Sequence, residues 1–157
     1  MNQASLETTF LECLRKIDLP PHEISRLDSG HLLLDIPSPC QEVGFLRAAV
    51  VAANEIVVYC KITHAHCSNH GSSSQPLSAV QLAIAQEAVE AISGFLSGSL
   101  CASVEHGFDG RTIGYGFGPA STVGQSNEQY RQLIQQQYGG PSTFQAWSWA
   151  GEIPVVA

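Results

Sequence analysis

The dipeptide Asp109-Gly110 stands between CASVEHGF and RTIGYGF, two runs that read as strands, and it is the strongest short hairpin signal in the chain. A second turn, Asp28-Ser29-Gly30, separates EISRL from HLLLDI, where Leu32, Leu34 and Ile36 fall on one face of an alternating pattern. Strands joined by such tight turns pair antiparallel, because parallel neighbours need a crossover of a dozen or more residues. These turns predict an antiparallel sheet built from hairpins rather than a parallel βαβ winding.

Helical signals fall between the strands. Leu6, Phe10, Leu14 and Ile17 recur at helical spacing from about 5 to 19, and Pro20-Pro21 must end that helix. Ser78 and Gln81 have the spacing of a capping box, with Leu77 and Leu82 as its hydrophobic staple. Leu82, Ala85, Val89, Ile92 and Leu96 continue down one face to a stop at Gly98. Ser126 and Gln129 open a third helix, with Tyr130, Leu133, Ile134 and Tyr138 aligned, and Gly139-Gly140-Pro141 close it. Residues 43–53 fit either state. A strand turning at Asn54-Glu55 into EIVVYCKITH is preferred for the branched residues that follow, and TFQAWSW reads as a last strand. With no repeat or linker, residues 1–157 form a single α+β domain: an antiparallel sheet with about three helices packed mainly on one face. The order of elements is loosely similar to that of small secretion-chaperone-like α+β domains, a likeness of shape that no motif carries.

Composition narrows the function. Only 13% of the residues are charged, against about 25% in a typical domain. Gln, Ser, Gly, Thr and Asn must cover much of the surface, which suits a chain that buries part of its exterior in a homo-oligomer. A net charge of −7 with scattered basic residues argues against nucleic acid and against an anionic membrane surface. No apolar run stands out as a membrane span, and MNQASLETTF lacks the pattern of a signal peptide. Cys13, Cys40, Cys60, Cys67 and Cys101 contain no CxxC and read as reduced thiols of a cytoplasmic protein, with Cys40 the most exposed.

The densest chemistry is CKITHAHCSNHGSSS, residues 60–74. On one strand from Ile56 to His66, Cys60, Ile62, His64 and His66 share a face, and His64 and His66 lie close enough to reach one metal. His70, or Cys67 in its place, supplies a third ligand, a set that suits zinc or iron. The competing expectation is a strand that emerges into a polar loop. On the later hairpin, Arg111, Ile113, Tyr115 and Phe117 share one face, while Gly114, Gly116 and Gly118 leave the other bare for a helix, a strand or a ligand. Glu105, His106 and Asp109 near the same turn read as solubilising residues. Trp147 and Trp149 lie on one side of an extended segment and suit a core or an interface equally.

The leading expectation is a small binding or interaction protein. It self-associates and takes a protein or small-molecule partner through Tyr115, Phe117, Trp147 and Trp149. The alternative is a metal-dependent enzyme built on His64, His66 and His70.

Overall fold

The structure is a computed structural model and describes residues 5–68 and 74–155. The fold is α+β, with three helices and two antiparallel sheets. Helix α1 (Leu6–Leu14) opens the chain, capped by Ser5, whose Oγ accepts from the Thr8 amide at 3.2 Å. It is shorter than the spacing predicts, because the backbone leaves the helix at Arg15 before the prolines are reached. Strands β1 (Glu23–Arg26), β2 (Leu32–Pro37), β3 (Phe45–Ala52), β4 (Glu55–Cys60) and β5 (His64–Ser68) then form a meander in sequence order. The ambiguous residues 45–52 are strand, and Gly30, with φ at 85°, supplies the left-handed turn between β1 and β2.

Helix α2 (Leu77–Ser97) follows, and β6 (Leu100–His106) and β7 (Thr112–Pro119) make the Asp-Gly hairpin. After helix α3 (Glu128–Tyr138), β8 (Thr143–Ser148) and β9 (Gly151–Ile153) complete a second sheet of order β7-β6-β8-β9. The short β9 adds a strand after TFQAWSW, pairing Ile153 with Ala146 within the same chain.

Helix α2 begins one residue before the expected cap. Pro76 is its N-cap and makes no side-chain cap hydrogen bond, so the capping box at Ser78 and Gln81 does not form. Leu77 and Leu82 are exposed at 47% and 41%, so no staple forms either. The buried stripe is Val80, Gln81, Ile84, Ala85, Ala88, Val89, Ile92 and Phe95, which keeps Ala85, Val89 and Ile92 of the predicted face and leaves Leu82 outside. Gln81 is 5% exposed, its amide nitrogen 3.5 Å from the Ala53 carbonyl and its Oε1 without a partner among the described residues. By length and mean hydropathy (1.2) this helix is apolar enough to cross a membrane, although no apolar run stands out as a span in the sequence. Here it spends its apolar stripe on the sheets, as a core helix does.

One hydrophobic core joins these parts. Phe10 and Leu6 of α1, Ile84, Ile92 and Phe95 of α2, and Leu34, Ile36, Leu46, Ile56 and Val58 of the first sheet pack in it. Ala102 of β6 belongs to the same cluster, with Phe117, Trp147 and Trp149 packed against it. All five cysteines are buried, including Cys40, which was expected to be the most exposed. Its thiol donates to Glu42 at 3.3 Å, and Cys40 itself is 6% exposed. Burial, reinforced by the nearby Glu87 charge, pushes the Cys67 thiol up to about 12, far from thiolate reactivity.

Phe95 meets Phe117 at 5.2 Å and Trp149 at 6.0 Å between ring centres, both edge-on. Phe95→Ala is expected to lower stability by about 3–5 kcal/mol, the range for truncating a buried aromatic. Urea denaturation of the two proteins followed side by side measures this, and a loss under about 1 kcal/mol would show that the seam is not tightly packed.

Candidate functional site

The histidine stretch folds differently from the single strand predicted for it. The chain breaks at Lys61-Ile62-Thr63 and β5 turns back on β4, pairing Tyr59 with His64 and Val57 with His66. Cys60 therefore stays on the core face with Ile56 and Val58, while His64 and His66 stand on the outer face beside Tyr59, Val57 and Glu55. The expected sharing of one face by Cys60, His64 and His66 is thus corrected by a hairpin that the polar residues at 61–63 permit.

His64 and His66 lie 5.1 Å apart between ring centres, and His66 Nδ1 donates to Glu55 Oε1 at 2.6 Å. That bond orients the ring and leaves Nε2 outward, as a carboxylate does for a ligating histidine. Sequence distance hid this partner, since Glu55 is eleven residues from His66 and reaches it only across the hairpin. Cys67, the alternative third ligand, points into the core. His70 lies outside the described residues. Among the described residues no three His, Cys, Asp or Glu side chains gather in a group able to hold a metal ion.

The same outer surface carries a polar and aromatic row. Arg47 pairs with Asp35 at 2.9 Å and stacks 4.1 Å over the Phe45 ring, which meets Tyr59 edge-on at 5.8 Å. His64 sits 6.3 Å from the ring of Tyr115 on β7. Tyr59, Lys61, Ile62, His64 and Tyr115 line a shallow cavity of about 370 Å³ where β5 lies near β7. The two strands belong to different sheets and share no ladder.

The other predicted residues divide between core and surface. Phe117 packs on Phe95, and Trp147 and Trp149 are partly buried against the same core. Tyr115, two residues from Phe117, is 59% exposed. The opposite face of β7 is barer still. A methyl group placed on Gly116 or Gly118 would find no atom within 4 Å, so the helix expected to pack closely there does not reach them.

That helix, α3, covers only the neighbouring strand, and it does so through a residue that was expected to be solubilising. Glu105 on β6 is 7% exposed. Tyr130 of α3 donates its hydroxyl to Glu105 Oε2 at 2.8 Å, and Ser142 donates to Oε1 at 2.6 Å. A buried carboxylate must be hydrogen-bonded or neutralised, and here two hydroxyls hold it. Strand alternation puts Glu105 on the face of Cys101 and Ser103, but its hydroxyl partners lie 25 and 37 residues away and no local sequence signal records them. Asn127, not Ser126, caps α3, accepting from the Tyr130 amide at 2.8 Å.

Neither protein-family models, nor curated proteins, nor solved structures match this chain. The likeness in element order to secretion-chaperone-like domains therefore carries no argument about activity, and the functional reading rests on geometry.

The hydrogen bond to Glu105, followed by burial, raises the Tyr130 pKa. A raised folded-state pKa means that this stabilisation is present below the unfolded value of about 10 and lost as pH climbs through the folded value. Tyr130→Phe should cost about 1 kcal/mol at neutral pH, a modest figure because Tyr130 is itself more than a third exposed. The two proteins should converge in stability as pH rises through the raised folded-state pKa and the wild-type hydroxyl ionises. Thermal unfolding across neutral to alkaline pH measures both, and a constant offset would rule out this linkage.

Proposed function

We propose that this chain is a cytoplasmic binding protein that self-associates through β7. The observation that carries the reading is the character of that strand. β7 is the terminal strand of its sheet, and Thr-Ile-Gly-Tyr-Gly-Phe-Gly-Pro contains no charged residue. Natural sheet edges are blunted by lysine, inward charges or covering elements, because an unpaired uncharged edge invites another strand. Here Gly116 and Gly118 are open on one face and Tyr115 is exposed on the other. A second copy supplies a strand of identical, uncharged character, and antiparallel pairing of β7 with itself about a twofold axis closes the assembly. The low charge of the whole surface and the buried, reduced cysteines support the same reading.

Gly116 offers a clean test, since open space around it means that a side chain leaves the protomer undisturbed. Wild-type protein is expected to sediment as a dimer at micromolar concentration, and Gly116→Lys as a monomer with an unchanged circular dichroism spectrum. A wild type that sediments as a monomer, or a variant that still pairs, removes β7 as the interface. Substitution of Trp147 or Trp149 is a poorer probe, because both rings pack against the core that holds the protomer together.

A second reading, a metal-dependent enzyme, is favoured by one specific arrangement: two outward histidines on adjacent positions of one face, with Glu55 orienting His66. On that reading His64 and His66 hold zinc or iron with His70, and His64→Ala purified from metal-supplemented cells should lose a metal that the wild type retains. Native mass spectrometry without chelator reads this directly. Masses that match the metal-free polypeptide for both the wild type and the variant would dismiss the enzyme.

A further inference from the structure

On the flank of α3 away from β7, the structure encloses a cavity of about 380 Å³ that neither reading above uses. Arg131 and Gln135, four residues apart on one side of α3, form one wall. Ser126 comes from the segment before the helix and Thr143 from the start of β8. Phe144 and Val155 provide the apolar surface. A side chain at Gly124 would collide with Val155, so glycine is what lets the C-terminal segment close this side of the cavity. The corner is fixed from beneath, because Glu105 binds Tyr130 of α3 and Ser142 of the α3–β8 connection at once.

Ser142 in the cavity wall is committed to Glu105, but the other polar side chains around the cavity are not engaged with one another or with the rest of the described residues. Among the described residues Arg131 has no ion-pair partner, whereas Arg26, Arg47 and Arg111 each have a carboxylate. The side chains of Ser126, Gln135 and Thr143 likewise make no hydrogen bond among those residues. Unused donors around one guanidinium, above an aromatic floor, are the recognition set for a singly charged planar anion with an apolar body. One cation balances one carboxylate, and a dianionic phosphate would leave charge uncompensated. The volume lies at the small end of the range for ligand sites, about 300–1,000 Å³, and suits a metabolite-sized molecule rather than a peptide.

We infer that the cavity between α3 and β8 is a binding site for a small carboxylate with an apolar or aromatic body, with Arg131 clamping the carboxylate and Phe144 and Val155 holding the body. The site lies apart from β7, so it stands or falls separately from self-association. Phenylacetate is a suitable probe, titrated into full-length protein while amide resonances are followed by two-dimensional NMR. Saturable shifts are expected at Ser126, Arg131 and Thr143. Acetate, which lacks the body, and phenylacetamide, which lacks the charge, should each bind at least about tenfold more weakly. Arg131→Gln keeps the helix and removes the charge, and should weaken phenylacetate by about tenfold or more while the remaining spectrum stays wild type. Equal binding of the amide, phosphate binding in preference to phenylacetate, unchanged affinity in Arg131→Gln, shifts confined to another surface or no shift at all would each overturn the site.

Discussion

The ring of Phe95 is the contact on which the arrangement of the two sheets depends. It sits near the end of a helix whose earlier turns pack on the first sheet, and it reaches Phe117 and Trp149 of the second. Edge-on aromatic pairs prefer defined angles, so the seam sets an orientation as well as contributing buried area. Gly98, with φ at 81°, ends the helix at once and returns the chain into β6. Gly94 serves the same corner, since any side chain there would press on Leu100.

From that seam follows a division of labour between the faces of the second sheet. One face carries Ala102, Phe117, Trp147 and Trp149 against the core. The other carries Glu105, Cys101 and the glycines, and α3 lies against it through Glu105. The helix buries only Ile134 fully, which is little apolar area to hold eleven residues. The Glu105 hydrogen bonds therefore matter more to its placement than they would for a helix with a broad apolar stripe. They also separate the two surfaces of interest, the uncharged β7 on one flank of α3 and the arginine-lined cavity on the other.

The first sheet shows how a tertiary partner changes the meaning of a local motif. HAH reads as a pair of metal ligands when it sits on one continuous strand with Cys60. Folded back as β5, the same residues face Tyr59 and Glu55, and the cysteines turn into the core. Arg47 similarly gains its significance across strands, linking Asp35 of β2 with the aromatic pair Phe45 and Tyr59.

The sequence by itself determined the hairpins at Asp28-Ser29-Gly30 and Asp109-Gly110, the presence of three helices and the glycine stops of the last two, and it favoured strand over helix at 45–52 without deciding it. Each of these rests on local backbone preference, on glycine's access to positive φ or on side-chain periodicity, which neighbours along the chain express. Tertiary structure alone decided the limits of α2's buried face, which takes in Gln81 and Ile84 and leaves Leu82 exposed. It likewise decided the break at 61–63 and the burial of Cys40 and of Glu105. These outcomes depend on groups far apart in the chain, Glu55 with His66 or Glu105 with Tyr130 and Ser142, and no local pattern records such pairings. The candidate surfaces are of the same kind: the glycines of β7 were visible in the sequence, but that no described atom comes within 4 Å of a side chain placed at Gly116 or Gly118, and that Arg131 lines an open cavity, follows only from where α3 comes to rest.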